Sequence, residues 1–292
     1  MAEGDASYAS GIQSVAAGSR AVELLPEGTG RLGARSPIGP RLAYVIDSTP
    51  TMRTIAGTLL EVHGFTVESF DTFEGAVSRC GEQTPDVAVM EPHHRERDAL
   101  DVLRGWHDDI GEDRPPVVWC TTVTPTREHL QDGADLGLRG VVIKPFRLEA
   151  LAALVVRVVR THERERLLRD AGVDLRAITG PLRAADTAAW LRVESQLAER
   201  YTRPLSLVSI GAATPETLLA VRTVIRNVDL IGLLDARTAA VLLPDVPPDG
   251  AAVVARRVAN AVMVSERVPA VRTCTREPGE SGEALLERAL RA

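Results

Sequence analysis

Residues Arg41–Gly64 read RLAYVIDSTPTMRTIAGTLLEVHG, and this stretch predicts a strand followed by a helix. The apolar run Leu42–Ile46 is typical of a buried strand, because apolar residues occupy both of its alternating faces. Pro50 suits the first turn of a helix and Gly64 suits its end. The polar residues Asp47 and Ser48 fall between the two elements, at the carboxyl end of the predicted strand.

The strand-then-helix unit recurs along the chain up to about residue 160. Further apolar strands are predicted at 65–67, 87–90, 117–120 and 141–143, with helices at about 73–77, 99–106, 126–136 and 148–170. This alternation predicts an α/β fold, a doubly wound five-stranded parallel sheet covered on both faces. Functional residues of such sheets lie at the carboxyl ends of the strands. Here those positions hold Asp47, Glu91, Thr121 and Lys144.

Region 41–160 resembles the CheY-like receiver domain of response regulators. The resemblance rests on four segments in order: Val45-Ile-Asp-Ser-Thr-Pro-Thr-Met-Arg53, Pro85-Asp-Val-Ala-Val-Met-Glu-Pro92, Trp119-Cys-Thr121 and Lys144-Pro-Phe146. It implies a cis Lys–Pro bond and a phosphoacceptor aspartate at position 91. It also implies a Mg²⁺ ion held with the help of two adjacent acids at positions 47 and 48.

Two positions depart from the implied site. Ser48 replaces the second acid, and Glu91 replaces the acceptor aspartate. Glutamate is one methylene longer, and a misplacement of about 1 Å can lower a rate roughly 100-fold. We therefore predict a pseudo-receiver with no catalytic residue, bound metal or cofactor. A phosphorylatable response regulator remains the alternative.

Lys144 is the single lysine among 34 basic residues. A lysine ammonium is a compact charge that arginine replaces poorly in a tight site. We predict that Lys144 faces Glu91, whose carboxylate then supplies a permanent negative charge. If the pair is partly exposed, it contributes about 1 kcal/mol or less. The alternative is that Lys144 only holds the strand ends and the turn together.

Region 174–292 mixes helices and strands without regular alternation. Helices are predicted at 184–201, 215–226, 250–264 and 281–290, and strands at 205–210, 229–234, 239–243 and 271–275. This order predicts an α+β domain with an antiparallel sheet. The segments Ile178-Thr-Gly180, 203–210 and 226–245 resemble a GGDEF (diguanylate cyclase) domain, so the resemblance implies a nucleotide-cyclase-like fold.

The signature of that family is lost. The stretch Asp235–Ala239 lacks both glycines, and Gly211 and Arg237 occupy the positions where the family has metal-binding acids. We predict an inactive, degenerate domain, because two-metal chemistry needs those ligands.

Arg226-Asn-Val-Asp229 has the form Arg-x-x-Asp, five residues before the eroded signature. The resemblance implies a cyclic di-GMP site there, and the two side chains suit the hydrogen-bonding edge of guanine. The alternative is a surface arginine beside an aspartate that caps a turn.

Composition and charge predict the character of the tail, the linker and the binding partners. Residues 1–40 are rich in Gly, Ala, Ser and Pro and predict a flexible tail, and 161–173 predicts a helical linker. The net charge of −6 argues against nucleic-acid binding. We expect a cytoplasmic protein without membrane segments, a non-catalytic signalling adaptor that binds signalling proteins. A near-heptad apolar seam over 148–162 leaves open a homodimer through this helix.

Overall fold

The computed structural model describes residues 13–17, 20–25, 41–92, 99–110, 114–174, 180–226, 229–263 and 269–291. The chain divides into two compact units, Met1–His162 and Glu163–Ala292. The division falls inside the segment 161–173 that was predicted as a linker. Within the described ranges, no helix is both long enough and apolar enough to cross a membrane.

The first unit alternates strands and helices. Its elements are β1 (Gln13–Ala17), β2 (Arg20–Leu25), β3 (Arg41–Ile46), α1 (Pro50–Val62), β4 (Phe65–Phe70), α2 (Phe73–Cys80), β5 (Val87–Met90), α3 (Ala99–Ile110), β6 (Val117–Thr121), α4 (Arg127–Asp135), β7 (Leu138–Ile143) and the larger part of α5 (Leu148–Asp170), whose last eight residues fall in the second unit. Over the described residues the strand order is β1-β2-β7-β6-β5-β3-β4. Strands β3 to β7 pair in parallel, which confirms the predicted five-stranded parallel sheet.

The structure differs from the predicted flexible tail at two segments of residues 1–40. Strand β2 pairs in parallel with β7, placing Leu24 opposite Val141, and β1 pairs antiparallel with β2. An edge strand presents unpaired backbone groups that any extended segment can satisfy. Such pairing needs little side-chain pattern, so composition did not reveal it.

Burial of the central strands positions the site. Every residue of β5 and β6 is buried, as is β3 after its first residue. On one face of the sheet, α2, α3 and α4 contribute to an apolar cluster that includes the fully enclosed Trp106 and Trp119. This packing fixes the strand ends, where the polar residues emerge.

The apolar seam of α5 is covered within a single chain. Leu151, Val155 and Val158 are at most 4% exposed, whereas Leu148 is exposed. These three side chains are therefore not available to a second copy, so the seam does not support the homodimer that the sequence left open.

The second unit contains α6 (Ala184–Arg200), β8 (Leu205–Ile210), α7 (Pro215–Arg222), β9 (Leu230–Leu233), β10 (Ala239–Pro244), α8 (Pro248–Val262), β11 (Val271–Thr275) and α9 (Gly282–Arg291). Its sheet, over the described residues, has the order β11-β8-β10-β9 with antiparallel neighbours. This confirms the predicted α+β class. The order of elements from β8 to β11 is that of a split β-α-β arrangement. A nucleotide-cyclase-like fold remains a prediction.

Candidate functional site

The four predicted residues at the strand ends of the first unit lie at one edge of the sheet. Backbone hydrogen bonds align the strand ends: the Glu91 amide donates to the Ile46 carbonyl at 2.9 Å, and the Lys144 amide donates to the Thr121 carbonyl at 2.7 Å. Asp47 follows β3 directly, so its side chain emerges at the same edge. The Lys144–Pro145 peptide bond is cis, as the resemblance implies.

Lys144 bridges two carboxylates. Its Nζ lies 3.0 Å from Oδ2 of Asp47 and 3.3 Å from Oε1 of Glu91. The side chains of Lys144, Asp47 and Glu91, which we term the Lys144 triad, are 15%, 6% and 17% exposed. The predicted Lys144–Glu91 pair is therefore present, and it is more enclosed than the sequence led us to expect.

The triad keeps Lys144 charged. Burial alone lowers the pKa of a lysine, but the hydrogen bond and charge of Asp47, with the charge of Glu91, outweigh it and raise the pKa of Lys144 above its usual value. Cys120 is fully enclosed in the same neighbourhood, and burial raises its pKa to about 12. This thiol is therefore protonated at neutral pH and is not a nucleophile.

Asp47 is held at both oxygens. Its Oδ1 accepts a hydrogen bond from the Thr49 amide at 2.8 Å, while Oδ2 faces Lys144. Arg53, which the sequence did not single out as a site residue, donates from Nη1 to the carbonyls of Asp47 and Ser48. Ser48 itself is exposed. Hydrogen bonds from Arg53, a residue of α1, thus fix the loop between β3 and α1.

Thr121 lies at the same edge, but its hydroxyl points toward the loop that follows β6. Its hydroxyl lies 3.0 Å from the Val123 carbonyl and 3.1 Å from the Val123 amide. The side chain is buried, and these contacts close the turn after β6. Thr121 therefore supports the loop and takes no part in the triad.

Comparison with known proteins agrees with the fold of the first unit. Residues 43–156 match the model of the response regulator receiver domain. These residues form a receiver domain. The transcriptional regulatory protein KdpE of Mycobacterium tuberculosis is 29% identical over 124 residues, which cover 41% of this chain and 52% of KdpE. The chain thus spans about half the length of the curated relatives that it matches.

Two solved structures are also similar to this region. The chemotaxis protein CheY4 of Vibrio cholerae is 20% identical, with 41% of this chain and 99% of that chain covered and a TM-score of 0.38. A response regulator from Thermotoga maritima is 18% identical, with 42% and 98% covered and a TM-score of 0.37.

In the second unit, residues Asp235–Thr238 form a self-contained turn. Oδ1 of Asp235 accepts hydrogen bonds from the amides of Arg237 and Thr238, both at 2.7 Å. The first of these contributes most to a pKa of Asp235 below its usual value. The Ala213 amide donates to the Arg237 carbonyl at 2.8 Å, so the loop after Gly211 meets this turn. Gly211 and Arg237, the two positions singled out by the resemblance, hold no acid.

The Arg226–Asp229 segment has a local structural role. The helix predicted to reach Arg226 ends at Arg222. Oδ2 of Asp229 accepts a hydrogen bond from the Arg226 amide at 3.0 Å, and Nη1 of Arg222 donates to the Asp229 carbonyl at 2.9 Å. Asp229 is 6% exposed, whereas Arg226 is exposed. The Asp229 carboxylate is thus engaged by the backbone of Arg226.

Proposed function

We propose that this protein is a non-catalytic signalling adaptor, in which a pseudo-receiver is coupled to an inactive cyclase-like unit and acts through protein–protein contacts. The Lys144 triad is the observation that carries this proposal. Asp47 and Glu91 are both engaged by one ammonium, and Ser48 adds no third carboxylate. Two carboxylates that share one ammonium, with no third acid beside them, offer few free oxygen ligands to Mg²⁺, which requires several.

In such an adaptor, the receiver surface has one constant state. A phosphoryl group would add charge near the strand ends only when a kinase supplies it. In this chain, the Glu91 carboxyl group is present without any kinase, and Lys144 faces it. A partner that recognises this edge therefore meets the same arrangement regardless of kinase activity.

The second unit supports a binding role by the same reasoning. Gly211 and Arg237 replace the acids that a cyclase would need, and Arg237 adds a cation where a divalent metal would bind. Charge repulsion and missing ligands both oppose metal binding there.

Two measurements on the full chain test the absence of catalysis. Intact-mass analysis after incubation with acetyl phosphate and Mg²⁺ should show no gain of a phosphoryl group. Chromatography after incubation with GTP and Mg²⁺ or Mn²⁺ should show no cyclic dinucleotide beyond a heat-inactivated control. A stoichiometric mass gain that Glu91→Gln abolishes would instead establish the phosphorylatable response regulator.

A cyclic di-GMP receptor is the second proposal. The exposed Arg226 favours this proposal, because its guanidinium can bind a nucleotide and Asp229 follows three positions later. The hydrogen bond that Asp229 makes within its own turn opposes it. Calorimetry with cyclic di-GMP separates the two proposals.

A further inference from the structure

Strand β7 of the receiver domain is paired on its outer side with an N-terminal segment of the same chain. Strand β2 pairs with β7 in parallel over three residue pairs: Glu23 with Gly140, Leu24 with Val141 and Leu25 with Val142. On its inner side, β7 pairs with β6 over five residue pairs. The outer ladder is therefore the shorter of the two.

The backbone groups of β7 alternate between these two neighbours. The Lys144 amide donates to the Thr121 carbonyl on β6 at 2.7 Å. Val142, two residues earlier, therefore also directs its backbone groups to β6. Val141 and Ile143 direct theirs to the outer side, where β2 lies.

The register fixes which residues of β2 face β7. With Val141 facing outward, the backbone groups of Glu23 and Leu25 point to β7. The opposite alternation would need an amide donor at position 26, and Pro26 has no amide hydrogen. Glu23 and Leu25 are thus the residues through which β2 holds the edge of β7.

Strand β4, at the other end of the same sheet, carries features that oppose the addition of a further strand. Its residues Thr66 and Ser69 are exposed. Glu68 forms an ion pair with Arg79 of α2 at 2.8 Å. Polar and charged side chains on an edge strand discourage pairing with another chain.

Strand β7 lacks this protection. Four of its six residues are apolar and at most 8% exposed: Leu138, Val141, Val142 and Ile143. Its one charged residue, Arg139, donates to the carbonyls of Ala134 and Leu138, next to the turn before the strand. Without β2, the edge of β7 would be an apolar strand that accepts an extended segment.

The pairing of β2 with β7 is also reversible in principle, because its connection to the rest of the sheet is long. The strand order places β2 four positions from β3, or about 20 Å at the usual strand spacing. Residues 26–40 join the two strands and can span at most about 50 Å. A two-stranded hairpin such as β1 and β2 has marginal stability by itself.

We propose that the outer edge of β7 is a binding site for an extended peptide strand, and that β2 is a detachable cap that occupies it. The partner that fits this edge is an extended apolar segment of another protein, which pairs in parallel with β7 through main-chain hydrogen bonds. The tether gives β2 an effective concentration in the millimolar range, so it excludes weaker competitors. This inference goes beyond the proposed function, because pairing at β7 does not require the receiver to be inactive.

Hydrogen exchange of the full chain, followed residue by residue by NMR, tests the cap. Glu23→Pro with Leu25→Pro removes both amides that face β7. The matched control is Ala34→Pro, which places a proline in the N-terminal region outside β1 and β2. The amides of Val141 and Ile143 report on the outer edge.

We expect the amides of Val141 and Ile143 to exchange at least about tenfold faster in the double-proline variant, roughly the effect of losing one hydrogen bond. The amides of Val142 and Lys144 face β6 and should keep their native rates, which shows that the domain is folded. If they do not, the single variant Leu25→Pro takes the place of the double variant.

A peptide added in trans tests the binding site itself. The probe is a fluorescently labelled peptide with the sequence of residues 18–27, GSRAVELLPE. We expect it to bind the double-proline variant at least about tenfold more tightly than the native chain, because the tethered β2 competes in the latter. The same peptide with prolines at the positions of Glu23 and Leu25 is the control and should not bind.

Three results would overturn the proposal. The first is an unchanged exchange rate of Val141 in the double-proline variant, which would mean that β2 does not protect this edge. The second is peptide binding that is equal in the two chains or absent from both. The third is protection of Val141 that falls when the native chain is diluted, which would assign the pairing strand to a second copy of the chain.

Discussion

The ammonium of Lys144 lies 3.3 Å from Oε1 of Glu91 and joins two strand ends that are 53 residues apart in sequence. The Asp47 carboxylate on its other side is 6% exposed. We predict that Lys144→Met destabilises the first unit by about 1–3 kcal/mol, because it leaves two carboxylates without their shared cation. Chemical denaturation followed by tryptophan fluorescence measures this. Equal stability of the variant and the native chain would contradict this prediction and would mean that solvent screens the attraction between Lys144 and the two carboxylates.

Restoring the two missing features should restore the chemistry. Ser48→Asp with Glu91→Asp supplies the second acid and shortens the side chain at position 91, while Asp47 and Lys144 stay in place. We predict that this double variant gains one phosphoryl group from acetyl phosphate with Mg²⁺, measured by intact mass. Each single variant is the control and should gain much less. A double variant that stays unmodified would place the defect elsewhere in the loop, for instance in the contacts of Arg53.

Much of this site could be predicted because strand ends in a parallel sheet converge whatever their separation in sequence. The pattern of apolar runs therefore predicts that Asp47, Glu91 and Lys144 lie close together. The sequence could not show that the Thr121 hydroxyl turns into its own loop, since that depends on the path of the backbone after β6. It also could not show that Glu163 and Arg164 pair with residues of α6, because they lie in a run of charges and these partners are 30 or more residues away.

The salt bridge between Glu280 and Arg288 should make the second unit sensitive to acid. Burial raises the pKa of Glu280, but the hydrogen bond from Arg288 and neighbouring contacts outweigh it, so the net pKa is lower than usual. A carboxyl group with a lowered folded-state pKa stabilises the fold above its unfolded pKa, and this contribution is lost as pH falls through the folded value. We predict that Glu280→Gln costs about 1–2 kcal/mol at pH 7 and that the difference shrinks below pH ~4.5. A difference independent of pH would show that the ionised carboxylate is not what stabilises this segment.

The close packing of α9 on α6 should make Gly282 intolerant of a side chain. A Cβ atom at this position would lie 2.6 Å from the backbone of Leu191 and Arg192, which cannot move aside without shifting α6. We predict that Gly282→Ala destabilises the second unit by about 1–3 kcal/mol. Gly105→Ala is the control, because Gly105 lies within α3 with nothing within 4 Å of an added Cβ. Alanine there should stabilise by about 0.5–1 kcal/mol through helix propensity. The unfolding temperatures of Gly282→Ala and Gly105→Ala test this prediction. Similar unfolding temperatures for the two variants would contradict so close an approach of α9 and α6.

Cyclic di-GMP binding separates the adaptor from the receptor. The Asp229 carboxylate would have to accept hydrogen bonds from guanine, yet its Oδ2 already accepts one from the Arg226 amide and the residue is 6% exposed. Turning it toward a ligand would open the turn and leave that amide without its partner, at a cost of about 1–3 kcal/mol. We therefore expect no binding heat in calorimetry at about 100 μM ligand, roughly a hundredfold above a micromolar dissociation constant. Binding that disappears in Arg226→Ala and in Asp229→Asn, but persists in Arg237→Ala on the exposed hairpin turn, would establish the receptor instead. It would also show that this turn rearranges to receive the nucleotide.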